Sequence, residues 1–133
     1  MKRFEELDHT ADWAFRAYGR DLEELYANAA YALFALEGVG EGDVTLTREV
    51  QVEGIDYEAV LVNWLSELLY LQETRGETYS KFEIHTLTPT SLSATIKGAR
   101  SGPLNKFVKA ITYHDLKIER TADGWQATVV VDV

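Results

Sequence analysis

The sequence predicts a single α+β domain, a largely antiparallel β-sheet or sandwich carrying two amphipathic helices. Three observations predict it. Two segments repeat apolar residues at helical spacing between start and stop signals. Most of the remainder alternates apolar and polar residues with period two, and the links between the alternating runs are hairpin-short. At 133 residues, 46% of them apolar, the chain has the length of one domain, 1–133, and buries roughly two-thirds of the surface its unfolded form exposes.

Taken in order, Phe4 to Leu7 and Trp13 to Tyr18 read as two short strands separated by a loop. The first helix spans about Asp21 to Leu36, with Asp21 as N-cap and Glu24 three residues later in a capping-box arrangement. Its stripe is Leu22, Leu25, Tyr26, Ala29, Ala30, Leu33 and Phe34, and Gly38 and Gly40 stop it, because glycine accepts left-handed dihedrals. A strand follows in which Val44, Leu46, Val50 and Val52 face one way and Thr45, Thr47, Glu49 and Gln51 the other. The second helix, about Asp56 to Arg75, ends at Gly76. Val60, Leu61, Trp64, Leu65, Leu68, Leu69 and Leu71 make it the most apolar element, packed across a sheet, with Asn63, Ser66 and Glu67 on another face.

Beyond it, Phe82 to Ile84 and Leu92 to Ile96 flank the turn Thr88-Pro89-Thr90 and predict a hairpin. Gly98-Ala99-Arg100-Ser101-Gly102-Pro103 reads as a mobile loop. Ala110 to Tyr113 leads into Leu116 and Ile118 as one strand, Asp123-Gly124 turns the chain, and Trp125, Ala127, Val129 and Val131 carry the last strand to the C-terminus. The predicted order is β-β-α-β-α-β-β-β-β, without internal repeats.

Composition excludes several classes of function. There is no cysteine, hence no disulfide framework, thiolate zinc site or cysteine nucleophile. Thirteen Lys and Arg against 22 Asp and Glu give a net charge of −9, and no Lys/Arg run offers the basic face that displaces counterions from nucleic acid. The acid excess suits a hydrated surface, a bound cation or a basic protein partner. The N-terminus turns acidic at once, and the longest apolar stretch, Val60 to Leu71, is broken by Asn63, Ser66 and Glu67. The expectation is a soluble, cytoplasmic protein that engages no membrane. Phosphate-loop, dinucleotide-fold and HExxH patterns are absent, and His9, His85 and His114 are scattered.

Three constellations carry candidate chemistry. In the loop Asp8-His9-Thr10-Ala11-Asp12, Asp8 and Asp12 are oxygen donors of the kind hard cations take. The Thr10 hydroxyl or loop carbonyls would assist, and His9 would be a ligand or a hydrogen-bonding group behind one. The competing account is that Asp8 or Thr10 caps the turn. The chain ends Val129-Val130-Val131-Asp132-Val133, so a terminus held in a strand would fix the Asp132 carboxylate beside the Val133 α-carboxylate, a costly pairing unless a cation or donor neutralises it. The alternative is an exposed, frayed, solubilising end. Third, Lys109 to Asp115 gathers Lys, Tyr, His and Asp, but a strand would put Lys109 and Tyr113 on one face and His114 on the other. That leaves no nucleophile with a matched base.

Four stretches together resemble the archease family: Asp8 to Asp12, Leu61-Val62-Asn63-Trp64-Leu65-Ser66-Glu67-Leu68-Leu69-Tyr70, Val108-Lys109-Ala110-Ile111-Thr112-Tyr113-His114, and Val131-Asp132-Val133. They fall in order and at family spacing over almost the full chain. The resemblance implies a small α+β protein that is not itself an enzyme. It would assist the GTP-dependent RNA ligase of tRNA splicing, promoting guanylylation of that ligase and restoring multiple turnover. RNA would be met only through the ligase. It further implies a divalent-metal site, calcium first, with magnesium or manganese as alternatives. Carried across, Asp12, Asp132 and the Val133 carboxylate would be ligands, with Asp8 a further ligand or a carboxylate behind them. Lys109 would orient an acid or meet a phosphate. One departure is the short stretch Gly98 to Lys106, which lacks the histidine of the family's longer loop. The competing functions are a general chaperone or adaptor with a structural cation and a stand-alone hydrolase.

Overall fold

The computed structural model describes residues 2–7, 13–39, 42–101, 104 and 107–133. In chain order the elements are β1 (Phe4–Leu7), β2 (Trp13–Gly19), α1 (Leu22–Leu36), β3 (Leu46–Glu53), α2 (Tyr57–Arg75), β4 (Glu77–Thr88), β5 (Ser91–Arg100), β6 (Ala110–Ile111), β7 (Lys117–Thr121) and β8 (Gly124–Asp132). They form two antiparallel sheets. One runs β1-β2-β8, with β6 and β7 sharing the far edge of β8; the other runs β3-β5-β4.

Both helices begin and end where their residues dictate. The Asp21 and Asp56 carboxylates accept from the Glu24 and Ala59 amides at 2.8 Å each, satisfying donors that the first turn leaves open. Gly76 ends α2 in the left-handed conformation, φ 66°. α1 packs against β2 of one sheet and β4 of the other. That placement buries Ala32 and Leu36 as well as the predicted stripe from Leu25 to Phe34, while Leu22 is half-buried. α2 lies on β3 with the ring of Trp64 fully buried, its indole N–H donating to the Tyr26 carbonyl at 2.9 Å.

Two expectations are corrected. The stretch from Gly98 to Arg100 is not a mobile loop but the end of β5, because β4 starts directly after Gly76 and supplies its partner: Glu77 pairs with Arg100 and Tyr79 with Gly98. Gly102 and Pro103 lie outside the described residues. The single strand expected from Ala110 to Ile118 is two, β6 and β7. Thr112 ends the first: its hydroxyl donates to the Val130 carbonyl at 3.0 Å and accepts from the His114 amide at 3.2 Å. The Thr112 amide keeps its own bond to the Val130 carbonyl at 3.0 Å; the bond from the His114 amide competes with a ladder beyond it, and Asp115 then turns the chain at φ 52°. Val44 and Thr45 likewise precede β3 rather than belong to it.

Candidate functional site

β8 positions the acidic end. It runs in the middle of its sheet, with Val129 and Val131 fully buried and Val130 nearly so, and alternation turns Asp132 outward to solvent. The terminus is therefore held: Asp132 pairs with Ala110 across the sheet, and the Lys109 amide donates to the Asp132 carbonyl at 2.7 Å. Val133 follows, exposed. The Asp132 carboxylate is an oxygen donor on a fixed strand end, and that chemistry suits a hard divalent cation.

Asp8, His9, Thr10 and Asp12 lie outside the described residues. Their flanks do not. Leu7 pairs with Ala14, and Trp13 and Ala14 pair with Val131 and Val130. Both ends of the acidic segment, Leu7 and Trp13, thus sit at the end of the sheet where the chain finishes. Trp13 is anchored by its indole N–H, which donates to Glu6 Oε1 at 2.8 Å. Among the described residues alone, no three His, Asp or Glu side chains are grouped as a metal would need.

Lys109 stands just before β6 with its side chain exposed and in no ion pair among the described residues. The rest of the third constellation disperses. Tyr113 is exposed, and the His114 ring lies against Asp115, Nε2 to Oδ2 at 3.2 Å, both at the surface. His85 belongs elsewhere: its Nε2 lies 2.6 Å from the Thr95 hydroxyl, which donates to Glu49 Oε1 at 2.8 Å on the outer face of the three-stranded sheet.

One polar cluster has no signal in the sequence. Glu37, the residue after α1, is 1% exposed. Its Oε1 accepts from Gln72 Nε2 at 2.9 Å and its Oε2 from the Val108 amide at 3.0 Å. Burial pushes this carboxyl up, and the two hydrogen bonds draw it back. The two residues its carboxyl meets, Gln72 and Val108, are 35 and 71 positions away in sequence. Beside it a groove of about 470 Å³ is lined by Leu69, Gln72, Glu73, Phe107, Val108 and Lys109. Phe107, Tyr113 and Val133 are exposed apolar groups on the segments that flank the acidic end.

Against this geometry the chain matches the model of the Archease protein family over residues 4–133. It is 41% identical to the protein archease of Methanosarcina acetivorans, over 99% of this chain and 97% of that one. It is also 41% identical to the protein archease of Pyrococcus abyssi over the full length of both. Among solved structures, the solution structure of Methanobacterium thermoautotrophicum protein 1598 superposes with a TM-score of 0.80 at 33% identity, covering both chains completely. A Thermotoga maritima archease, described as a possible chaperone, superposes with a TM-score of 0.69 at 27% identity, covering 97% and 96% of the two chains.

Proposed function

The chain belongs to the archease family, and from that premise we propose that it is a non-catalytic cofactor of the GTP-dependent RNA ligase of tRNA splicing and RNA repair. Its role would be to promote guanylylation of that ligase and to sustain its turnover. Asp12, Asp132 and the Val133 carboxylate would hold a divalent cation, calcium first, with Asp8 and His9 as further ligands or groups that orient them. A cation there would neutralise the carboxylates and offer open positions to phosphate oxygens. The chain's own contribution would be to hold Asp132 on a paired strand end and to offer the exposed Lys109 ammonium to a phosphate or an acid. RNA enters only with the ligase.

The observation that carries this reading is the pairing of Trp13 with Val131. One residue along the chain from each stand Asp12 and Asp132. Asp12 precedes Trp13 and Asp132 follows Val131, so acids 120 positions apart in sequence adjoin a pair of neighbouring strand residues at one end of the sheet. The test is ligation by the cognate RNA ligase, with RNA in excess, in the presence of this protein, Asp12→Ala or Asp132→Ala. Stimulated turnover that both variants lose is the expected result; stimulation that survives both substitutions refutes the role of the acids, and none by the unaltered protein refutes the cofactor reading.

A second reading, an adaptor with a structural cation, is favoured by the exposure of Phe107, Tyr113 and Val133 and by the chaperone description of the Thermotoga protein. It differs in one outcome: an adaptor keeps its partner when Asp12 and Asp132 are removed.

A further inference from the structure

Glu37 occupies a poor place for an anion. It is buried, it sits at the C-terminal end of α1 where the helix carries partial negative charge, and no Lys, Arg or His pairs with it among the described residues. What it gains there is two hydrogen bonds that join three separate parts of the chain: the end of α1, Gln72 on α2, and Val108 ahead of β6. Val108 is 5% exposed, so without Glu37 its amide would be a buried donor with no acceptor, a state that native backbones avoid. The next residue, Lys109, donates its amide to the Asp132 carbonyl at 2.7 Å. One carboxyl and one covalent step therefore connect the two-helix core to the acidic end of β8.

We propose that Glu37 is the positioning residue of the acidic terminus: through Val108 it fixes residues 107–109 against both helices and so sets Lys109 against Asp132. What Lys109 and Asp132 then bind rests on the function proposed above; the positioning does not. The carboxyl is needed for its acceptors and not for its charge. A carboxamide at position 37 can accept from Val108 and donate to Gln72 once that amide turns round, whereas a thioether of similar length can do neither.

The test compares Glu37→Gln and Glu37→Met in the full chain by amide hydrogen exchange and by calcium titration. In E37M the Val108 and Lys109 amides are expected to exchange about tenfold faster relative to Leu65 in the core of α2, the scale of one lost hydrogen bond. The calcium dissociation constant should rise by about tenfold, as when a group supporting a ligand is removed. E37Q should stay within about twofold of the unaltered protein on both measures. If E37M does not fold, Glu37→Asn, too short to reach both donors, provides the same comparison. Exchange at Val108 and Lys109 that rises only in step with Leu65 overturns the proposal, and so does faster exchange with unchanged calcium affinity. If the unaltered protein binds no calcium, the metal reading fails, while the exchange pattern still decides whether Glu37 positions the segment.

Discussion

Glu77 and Glu37 are both buried carboxyls, 3% and 1% exposed, and their surroundings push them in opposite directions. The Arg48 guanidinium grips Glu77 in two places, Nε to Oε1 at 2.5 Å and Nη2 to Oε2 at 2.7 Å, and the Tyr79 hydroxyl donates to Oε1 at 2.6 Å. The Arg48 bonds foremost hold Glu77 down to about 2, against an ordinary value of 4.5. A carboxyl lowered by folding stabilises the fold fully above its unfolded value and loses that contribution as pH falls through its folded one. Thermal denaturation should therefore show Tm falling between pH 4.5 and about 2, and Glu77→Gln should flatten that fall. At neutral pH the substitution should lower Tm by about 3–6 °C, since it removes the charge from a pair whose carboxyl is buried while its guanidinium is half-buried and partly screened by solvent. An unchanged acid profile in E77Q would remove Glu77 as its source. Glu37 has the reverse sign. Burial raises it, so its ionised form costs stability above its folded value, and that cost fades as pH falls toward 4.5. Neither residue announces its state in sequence, because Arg48 and Val108 reach them from strands or segments 29 and 71 positions away.

At the scale of elements, what was legible was what is local. The caps at Asp21 and Asp56, the stop at Gly76 and the apolar spacing between them fix α1 and α2 within a residue or so, because each signal acts over four residues or fewer. The hairpin at Pro89-Thr90 was legible for the same reason. Gly98 shows where local reading fails. A glycine beside Ala99, Arg100 and Ser101 looks like loop composition, yet it is the close-approach point between β5 and β4. A Cβ there would come within 1.9 Å of the Thr78 carbonyl oxygen and 2.7 Å of Tyr79 Cα, next to the bulge between Tyr79 and Lys81. Both neighbours are backbone, so the strands themselves must part. Gly98→Ala is expected to cost about 1–3 kcal/mol, the range for overpacking a well-filled interior, read as a lower urea midpoint with unchanged slope. A mobile loop would accept the methyl group with almost no shift in midpoint, so the measurement separates the two descriptions. Thr112 misled in the same way: a β-branched residue in an alternating run reads as strand, and only its bonds to Val130 and His114 show that it ends one.

Across the whole molecule, the candidate site is legible as residues but not as a place. The order of the stretch Asp8 to Asp12, the second helix, the Lys109 segment and Asp132 points to a family, while the meeting of Trp13, the flank of the first, with Val131 depends on β2 and β8 lying side by side in a sheet whose pairing no short-range signal specifies. On the function proposed above, the α-carboxylate of Val133 would be a ligand, which a C-terminal extension tests. Adding a few residues after Val133 turns its α-carboxylate into an amide and leaves β8, Asp132 and the Lys109 bond in place, so Tm without metal should stay within about 2 °C of the unaltered protein. A ligand that binds only the folded form raises stability with its concentration, so calcium at about 100 times its dissociation constant should raise Tm of the unaltered protein by several degrees. The extended protein should lose most of that rise, and most of its stimulation of the ligase with it. Equal calcium shifts in both proteins would take the α-carboxylate out of the site. An extended protein that still stimulates fully would take the α-carboxylate out of the stimulation and leave the aspartates or the exposed Phe107 and Tyr113 face as what the partner recognises.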